Sequence, residues 1–259
     1  MSADPTPLEE SAGGAATRGA LFEQVLTLGI AIAIALGIRA FVIEPFRIPS
    51  GSMFPTLLIG DHLFVNKFVY GVKVPFTDVR LPGLREPERG DVVVFTVGNG
   101  NRTEPADRRP DLPREEFVKR IIGLPGDRIS FEEDRVFING EPLATEELDE
   151  FFEDRGSRLG VHVVTLPERS FRILDDPRRR LSQPAPVVVE EGRYFMMGDN
   201  RDHSKDSREW GTVRLAEIRG PAFMVYWSWN FNGNWLELVD PRTWIETEKR
   251  WDRIGHALD

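Results

Sequence analysis

The sequence predicts a mainly β domain preceded by one N-terminal transmembrane helix. Three observations carry that expectation. The stretch 21–43 is apolar and long enough to cross a bilayer. After it, no long amphipathic helical pattern appears, and short runs rich in Val, Ile and Phe recur between Gly, Pro, Asn and Asp. An apolar fraction of 41% in 259 residues is enough for a sizeable core.

Residues 1–20 are small, polar and rich in Pro, Gly and Ala, which predicts a disordered tail. In LFEQVLTLGIAIAIALGIRAFVI, residues 21–43, the segment Val25–Ile38 carries no charge. As a helix the stretch spans about 34 Å, enough for a hydrocarbon layer of roughly 30 Å. Arg39 can snorkel at one end, and Glu23 and Gln24 sit at the other interface. A membrane anchor is favoured over a cleaved signal peptide, because Arg18 is offset by Asp4, Glu9 and Glu10. A buried soluble helix is the third alternative. Basic residues are no rarer after the span than before it, so charge does little to orient it.

Strand-like runs follow at Leu63–Val69, Asp91–Val97, Phe117–Ile122, Arg128–Phe131, Val136–Ile138, Val187–Val189, Tyr194–Met197 and Ala222–Trp227. Asn139-Gly140 is a type I′ hairpin signal. Residues 98–115 read as a polar loop, and 143–184 as a charged peripheral insertion of irregular or hairpin structure. The polar C-terminal stretch 240–259 offers Trp244 and Trp251 as docking aromatics. The expected organisation is a tail (1–20), an anchor (21–43) and a β-rich domain (44–259).

Composition narrows the chemistry. A net charge of −9 speaks against nucleic-acid binding, which needs a positive footprint. The absence of Cys excludes thiol nucleophiles, disulfides and Cys-ligated metals. His62, His162, His203 and His256 show no metal-ligand spacing. There are only five Lys (Lys67, Lys73, Lys119, Lys205 and Lys249) among 33 Lys and Arg residues, and only Lys readily serves as a neutral base.

Three segments carry candidate chemistry. In Phe46–Leu57, serines flank a glycine between Pro49 and Pro55, which makes a rigid turn able to present a hydroxyl beside backbone N–H groups. A membrane-proximal linker turn would look similar. In Glu116–Asp127, alternation puts Phe117, Lys119 and Ile121 on one strand face, where desolvation lowers the Lys pKa. A solvent-facing strand Lys is the plain alternative. Met197–Arg208 is a dense polar run after an apolar strand, able to hold a catalytic Lys or simply to form a solvated or calcium loop. Its Asp spacing does not match an EF-hand. Composition leaves open a triad of Ser52 with His62 or His203 and an Asp. A Ser–Lys dyad needs fewer parts.

Taken together, the segments resemble bacterial type I signal peptidases. The resemblance covers most of 21–232 and rests on ordered strings: the apolar span, IPSGSMFPTLLIGDHLFVNKFVYG, RGDVVVF, FVKRIIGLPGD, GDNRDHSKDSREWG and FMVYWSW. It implies a signal-peptidase-like all-β catalytic domain held to a bacterial inner membrane by a single pass. The active site would face the periplasm or exterior, and the tail would be cytoplasmic. It implies a Ser–Lys endopeptidase that works without metal or cofactor and removes signal peptides from secretory preproteins after A-x-A-like junctions, close to membrane lipid. By position, Ser52 matches the nucleophile and Lys119 the general base. Ser50 joins the Ser52 N–H in the oxyanion hole, and Ser204 orients the lysine. Asp206 and Arg208 match a supporting charged pair. Asp199, Asn200, Arg201 and Asp202 match structural positions, as does Arg120. Ile48, Pro49, Met53, Leu57, Phe117 and Val118 would line shallow pockets for small side chains.

Some features depart from the family pattern. Only one span precedes Ser52, whereas some members carry two. The loop 98–115 looks long, the stretch 143–184 is poorly matched, and Phe117 stands where Tyr is frequent. Two other classes compete: an inactive membrane-tethered β domain, and a self-cleaving Ser–Lys protein of the repressor type. The second predicts a DNA-binding module that the short tail leaves no room for.

Overall fold

A computed structural model describes residues 12–72, 81–97, 115–179, 183–229 and 249–258. The chain divides into two units, Met1–Ile43 and Glu44–Asp259. The first holds helix α1, Ala12–Phe41. Its segment Leu21–Arg39 has a mean hydropathy of 2.1 and none of it is buried, so it is a candidate membrane span. The helix begins before the apolar run. Residues 12–20, read above as part of a disordered tail, form its first turns, and Ala12, Ala15, Ala16 and Ala20 are strong helix formers.

The second unit is mostly strand. In chain order the strands are β1 (Ile43–Arg47), β2 (Asp61–Asn66), β3 (Val92–Val97), β4 (Glu115–Gly123), β5 (Arg128–Glu132), β6 (Arg135–Ile138), β7 (Glu141–Pro142), β8 (Thr145–Asp154), β9 (Ser157–Thr165), β10 (Ser170–Asp175), β11 (Val187–Val188), β12 (Arg193–Met197), β13 (Val213–Arg214) and β14 (Ile218–Ser228). One short helix, α2 (Ser207–Trp210), follows β12. A seven-stranded sheet runs β1-β2-β14-β3-β4-β12-β13. Two smaller sheets run β11-β5-β6-β7 and β10-β9-β8.

All eight expected runs contain strand. The first ends early, at Asn66, because the Asn66 Oδ1 accepts the N–H groups of Phe68 and Val69 and turns the chain. The stretch read as irregular or hairpin structure is an ordered antiparallel sheet, with β9 paired on both sides. The expected turn is present: Asn139 and Gly140 have φ of 55° and 86°, and Ile138 faces Glu141 across it. The same turn recurs without an Asn-Gly signal at Glu133-Asp134 and at Arg155-Gly156. Residues 98–114 of the expected loop lie outside the described residues, as does Trp244. Trp251 meets the Trp227 ring edge-on at 5.5 Å.

Both faces of β3 and β4 are buried, as expected for strands with neighbours on both sides and layers above and below. On one face, Val93, Phe95, Ile121, Met196 and Trp210 form a cluster that Phe117 joins. On the other, Val118 packs with Ile48, Met53, Leu57, Leu63 and Val225. Ile122 enters a third cluster with Phe131, Phe171 and Phe195, which attaches the smaller sheets. Phe54 joins Leu159, Val161 and Leu174 in a fourth, fixing β9 and β10 beside the turn that follows β1.

Candidate active site

Ser52 lies in a one-turn 3-10 helix, Gly51–Met53, entered from an extended Ser50. Met53 and Leu57 are buried beneath it, so the turn sits on core rather than on solvent. Lys119 is in β4, opposite Val93. The topology brings the two together: Lys119 Nζ is 2.5 Å from Ser52 Oγ. Ser50 Oγ is 3.4 Å from the same oxygen.

Lys119 is 2% exposed. Burial lowers its pKa to about 8, partly opposed by the charges of Asp206 and Asp199 and assisted by Arg208. The Phe117 ring lies 5.8 Å from its Nζ. At pH 7 a pKa of 8 leaves roughly one lysine in ten neutral, against about one in 3,000 at 10.5. Burial therefore supplies about 300-fold more of the base form.

The polar run after β12 wraps this pair. Asn200 donates from its backbone N–H to the Ser52 carbonyl at 3.1 Å and from Nδ2 to the Gly51 carbonyl at 3.1 Å. Asp199 receives Arg120 in a bidentate contact, Nε to Oδ1 at 2.9 Å and Nη2 to Oδ2 at 2.7 Å, and also accepts from Thr56 Oγ1 at 2.6 Å. Arg120 lies over the Phe171 ring at 4.0 Å. Asp206 and Arg208 form a second bidentate pair at 2.8 and 2.7 Å, and Asp206 also accepts from the Gly198 N–H at 3.0 Å. Gly198 lies close against the serine turn. A Cβ there would stand 2.2 Å from Ser204 Oγ and 2.5 Å from the Ser52 carbonyl oxygen.

The expected residues meet in two cavities. A groove of about 580 Å³ is lined by Ser50, Ser52, Lys119 and Ser204, with Asp154 and Arg155 of the β8–β9 tip on its wall. A cleft of about 30 Å³ is lined by Ile48, Pro49, Met53, Phe117 and Val118 beside Ser52. Leu57, expected with them, is fully buried in the core and is not part of that lining. Ser204 is in the groove, but its Oγ is buried with no hydrogen-bond partner, so the expected bond to Lys119 is not made. Neither histidine of the alternative triad reaches Ser52: His203 contacts Asp176 and Arg179, and the His62 ring packs edge-on to Tyr226. Lys205 is an exposed residue of the groove wall. Among the described residues no cluster of His, Cys, Asp and Glu could hold a metal ion.

Sequence reasoning treated Thr56 only as part of a turn and missed Phe171 altogether. Neither has a local signal, because each acts on a residue more than fifty positions away.

A buried Lys against a Ser hydroxyl, with a small apolar cleft beside it, can perform nucleophilic attack on a carbonyl whose neighbouring side chain is small. The family model described as signal peptidase, peptidase S26, matches residues 21–227. The chain is 40% identical over 215 residues to the Signal peptidase I of Pseudomonas aeruginosa, a match covering 76% of this chain and 69% of that protein. It is 33% identical over 254 residues to the Signal peptidase I of Rickettsia conorii, covering 88% and 89%. A solved signal peptidase I from Enterococcus faecalis is 28% identical over 53% of this chain and 97% of its own, at a TM-score of 0.30 that says little about how the elements are arranged.

Proposed function

The chain belongs to the signal peptidase S26 family, and from that premise we propose that Ser52 is its nucleophile and Lys119 its general base. As a signal peptidase it acts on secretory preproteins and removes their signal peptides. One observation carries the dyad: the 2.5 Å approach of a buried, pKa-lowered Lys119 to Ser52 Oγ.

Neutral Lys119 takes the Ser52 proton as Oγ bonds to the scissile carbonyl carbon, and the carbonyl electron pair moves onto oxygen. The Ser52 N–H and the Ser50 hydroxyl receive that oxyanion. When the intermediate collapses, the Lys119 ammonium returns its proton to the leaving amine and the C–N bond breaks. Water activated by the same lysine then hydrolyses the Ser52 ester and frees the signal-peptide carboxylate. The Asp206–Arg208 pair supports the polar run that carries Ser204 into the groove beside Lys119. The cleft beside Ser52 is small, with Ile48, Met53 and Val118 on its wall, which supports alanine next to the cleaved bond and an A-x-A-like junction. Residues 21–43 serve as a single-pass anchor in the bacterial inner membrane, with the β domain 44–259 on the periplasmic or exterior side, close to lipid. The 143–184 stretch is an addition to the catalytic unit.

The test uses detergent-solubilised full-length protein, Ser52→Ala and Lys119→Ala, with a preprotein carrying an A-x-A junction, and sequences the product N-terminus. One cut after the junction by wild type, with both variants nearly inactive, is expected. A near-normal rate for Lys119→Ala removes that residue as the base and turns attention to Lys205 on the groove wall.

A further inference from the structure

Asn200 makes two contacts that no role above uses. Its side chain holds the carbonyl of Gly51, and its backbone N–H holds the carbonyl of Ser52. A trans peptide is planar, with its C=O and N–H pointing in opposite directions. The Gly51 oxygen and the Ser52 N–H belong to one such plane, so whatever fixes the first aims the second. The turn's own closing bond, from Phe54 N–H, reaches the same Gly51 oxygen at 3.2 Å, an ordinary to long contact. The Asn200 amide therefore supplies the second tether that stops this plane from rocking. None of the hydrogen bonds among the described residues engages the Ser52 N–H, which leaves it free for a substrate.

Asn200 is itself well held. It is 1% exposed. On one side Asp199 is clamped by Arg120, and its carbonyl accepts from Leu174 N–H at 2.8 Å. Asn200 also forms a parallel bridge with Leu174 of β10. Both donors are thus fixed before any substrate arrives, as a preorganised oxyanion site requires.

We propose that Asn200 is a positioning residue for the oxyanion hole, acting through the Gly51–Ser52 peptide plane to aim the Ser52 N–H at the developing negative charge. The inference rests on the reading of Ser52 as nucleophile. It also predicts that the effect appears in the transition state and not in substrate binding, because the ground-state carbonyl gains less from that donor than the oxyanion does.

The test is Asn200→Asp, which keeps the shape and the backbone contact but puts a carboxylate oxygen where a donor stood. Asn200→Ala, which adds no charge, is the second variant. Both are assayed in full-length solubilised protein on a peptide ending in Ala-x-Ala, presented as an ester and as the matching thionoester, whose sulfur is a poor hydrogen-bond acceptor. We expect kcat on the ester to fall about 10- to 100-fold, somewhat less than on deleting an oxyanion donor outright. KM should stay within about twofold, and in Asn200→Ala, which adds no charge, the acid limb of the pH profile should not move. The rate preference for ester over thionoester should shrink about tenfold. A general loosening of the site would lower both rates by the same factor, and that result overturns the proposal, as does a kcat within about threefold of wild type in both variants. Ser52→Ala is run alongside. If it still turns over the ester, the nucleophile reading fails and this inference goes with it, an outcome distinguishable from failure of Asn200 alone.

Discussion

Replacing Gly198 by Ala would place a methyl group between the two halves of the active site. The added carbon would stand 2.2 Å from Ser204 Oγ, 2.5 Å from Ser204 Cβ and 2.5 Å from the Ser52 carbonyl oxygen. Unstrained contacts lie near 3.5 Å, so about 1 Å of movement is needed. Ser204 cannot absorb it by changing rotamer, since its own Cβ is among the obstructing atoms. The polar run cannot retreat either, because Gly198 N–H is bound to Asp206 and the next residue is clamped to Arg120. The displacement therefore falls on the serine turn. A misplacement of about 1 Å at a reacting group costs on the order of 100-fold in rate, and overpacking costs about 1–3 kcal/mol of stability. We expect kcat on an A-x-A peptide to fall about 100-fold, with a urea midpoint lowered to match. Steady-state kinetics and urea unfolding of the solubilised protein check both. Near-normal kcat at unchanged stability would refute the reasoning, because it would mean the two segments separate without cost.

Lys119→Met removes a buried amine whose pKa falls from 10.5 to about 8, a shift worth about 3 kcal/mol. The folded value lies below the unfolded one, so the penalty is full below pH 8 and vanishes above 10.5. The variant should be inactive yet more stable at pH 7, with the gain gone near pH 11, as melting temperatures at the two pH values would reveal. Wild-type kcat/KM should rise tenfold per pH unit up to an apparent pKa near 8, read from a pH–rate profile. Arg120→Met leaves the Asp199 carboxylate, 0% exposed, without its cation, and a loss of about 3–5 kcal/mol in urea unfolding is expected. Burial, with the nearby Asp202 carboxylate, raises the Asp175 pKa to about 6, above its unfolded value, so ionising it costs stability as pH rises from about 4 to 6. Asp175 is only half-buried, and Asp175→Asn should gain about 1 kcal/mol at pH 7.5 and almost nothing at pH 4, measured by thermal unfolding at both.

The strands that were legible in the sequence are those with apolar residues on at least one face and a turn signal at an end. Val92–Val97 and Arg193–Met197 are of that kind. Strands β1, β7, β8, β9, β10 and β13 were not singled out, and among them β8, TEELDEFFED, has a composition that argues against a strand. It is an edge strand, paired only with β9, and charges on an exposed edge discourage further pairing. Ser52 and Lys119 could be singled out because a Ser-Gly-Ser turn between prolines and a lone lysine on an apolar strand face are local patterns. What joins them to the rest of the site is not local. The Asn200–Gly51 bond spans 149 positions and the Thr56–Asp199 bond 143. No pattern along the chain announces that Phe171, within a charged stretch, will lie over Arg120.

The last described residues return to the serine segment from behind. Arg253 donates to the Thr56 carbonyl at 2.9 Å and to the buried Asp61 carboxylate at 2.6 Å, which also receives Ser228 Oγ at 2.6 Å. Arg250 reaches the Ile59 carbonyl at 2.6 Å. The Asp61–Arg253 contact is 192 positions long. A chain emerging N-terminus first thus makes the Ser52 turn well before the arginines that brace it. Such long-range closure is slow relative to local pairing. The turn that carries Ser52 is accordingly completed by contacts that cross most of the chain, and its geometry depends on residues 250–253 finding the segment 56–61.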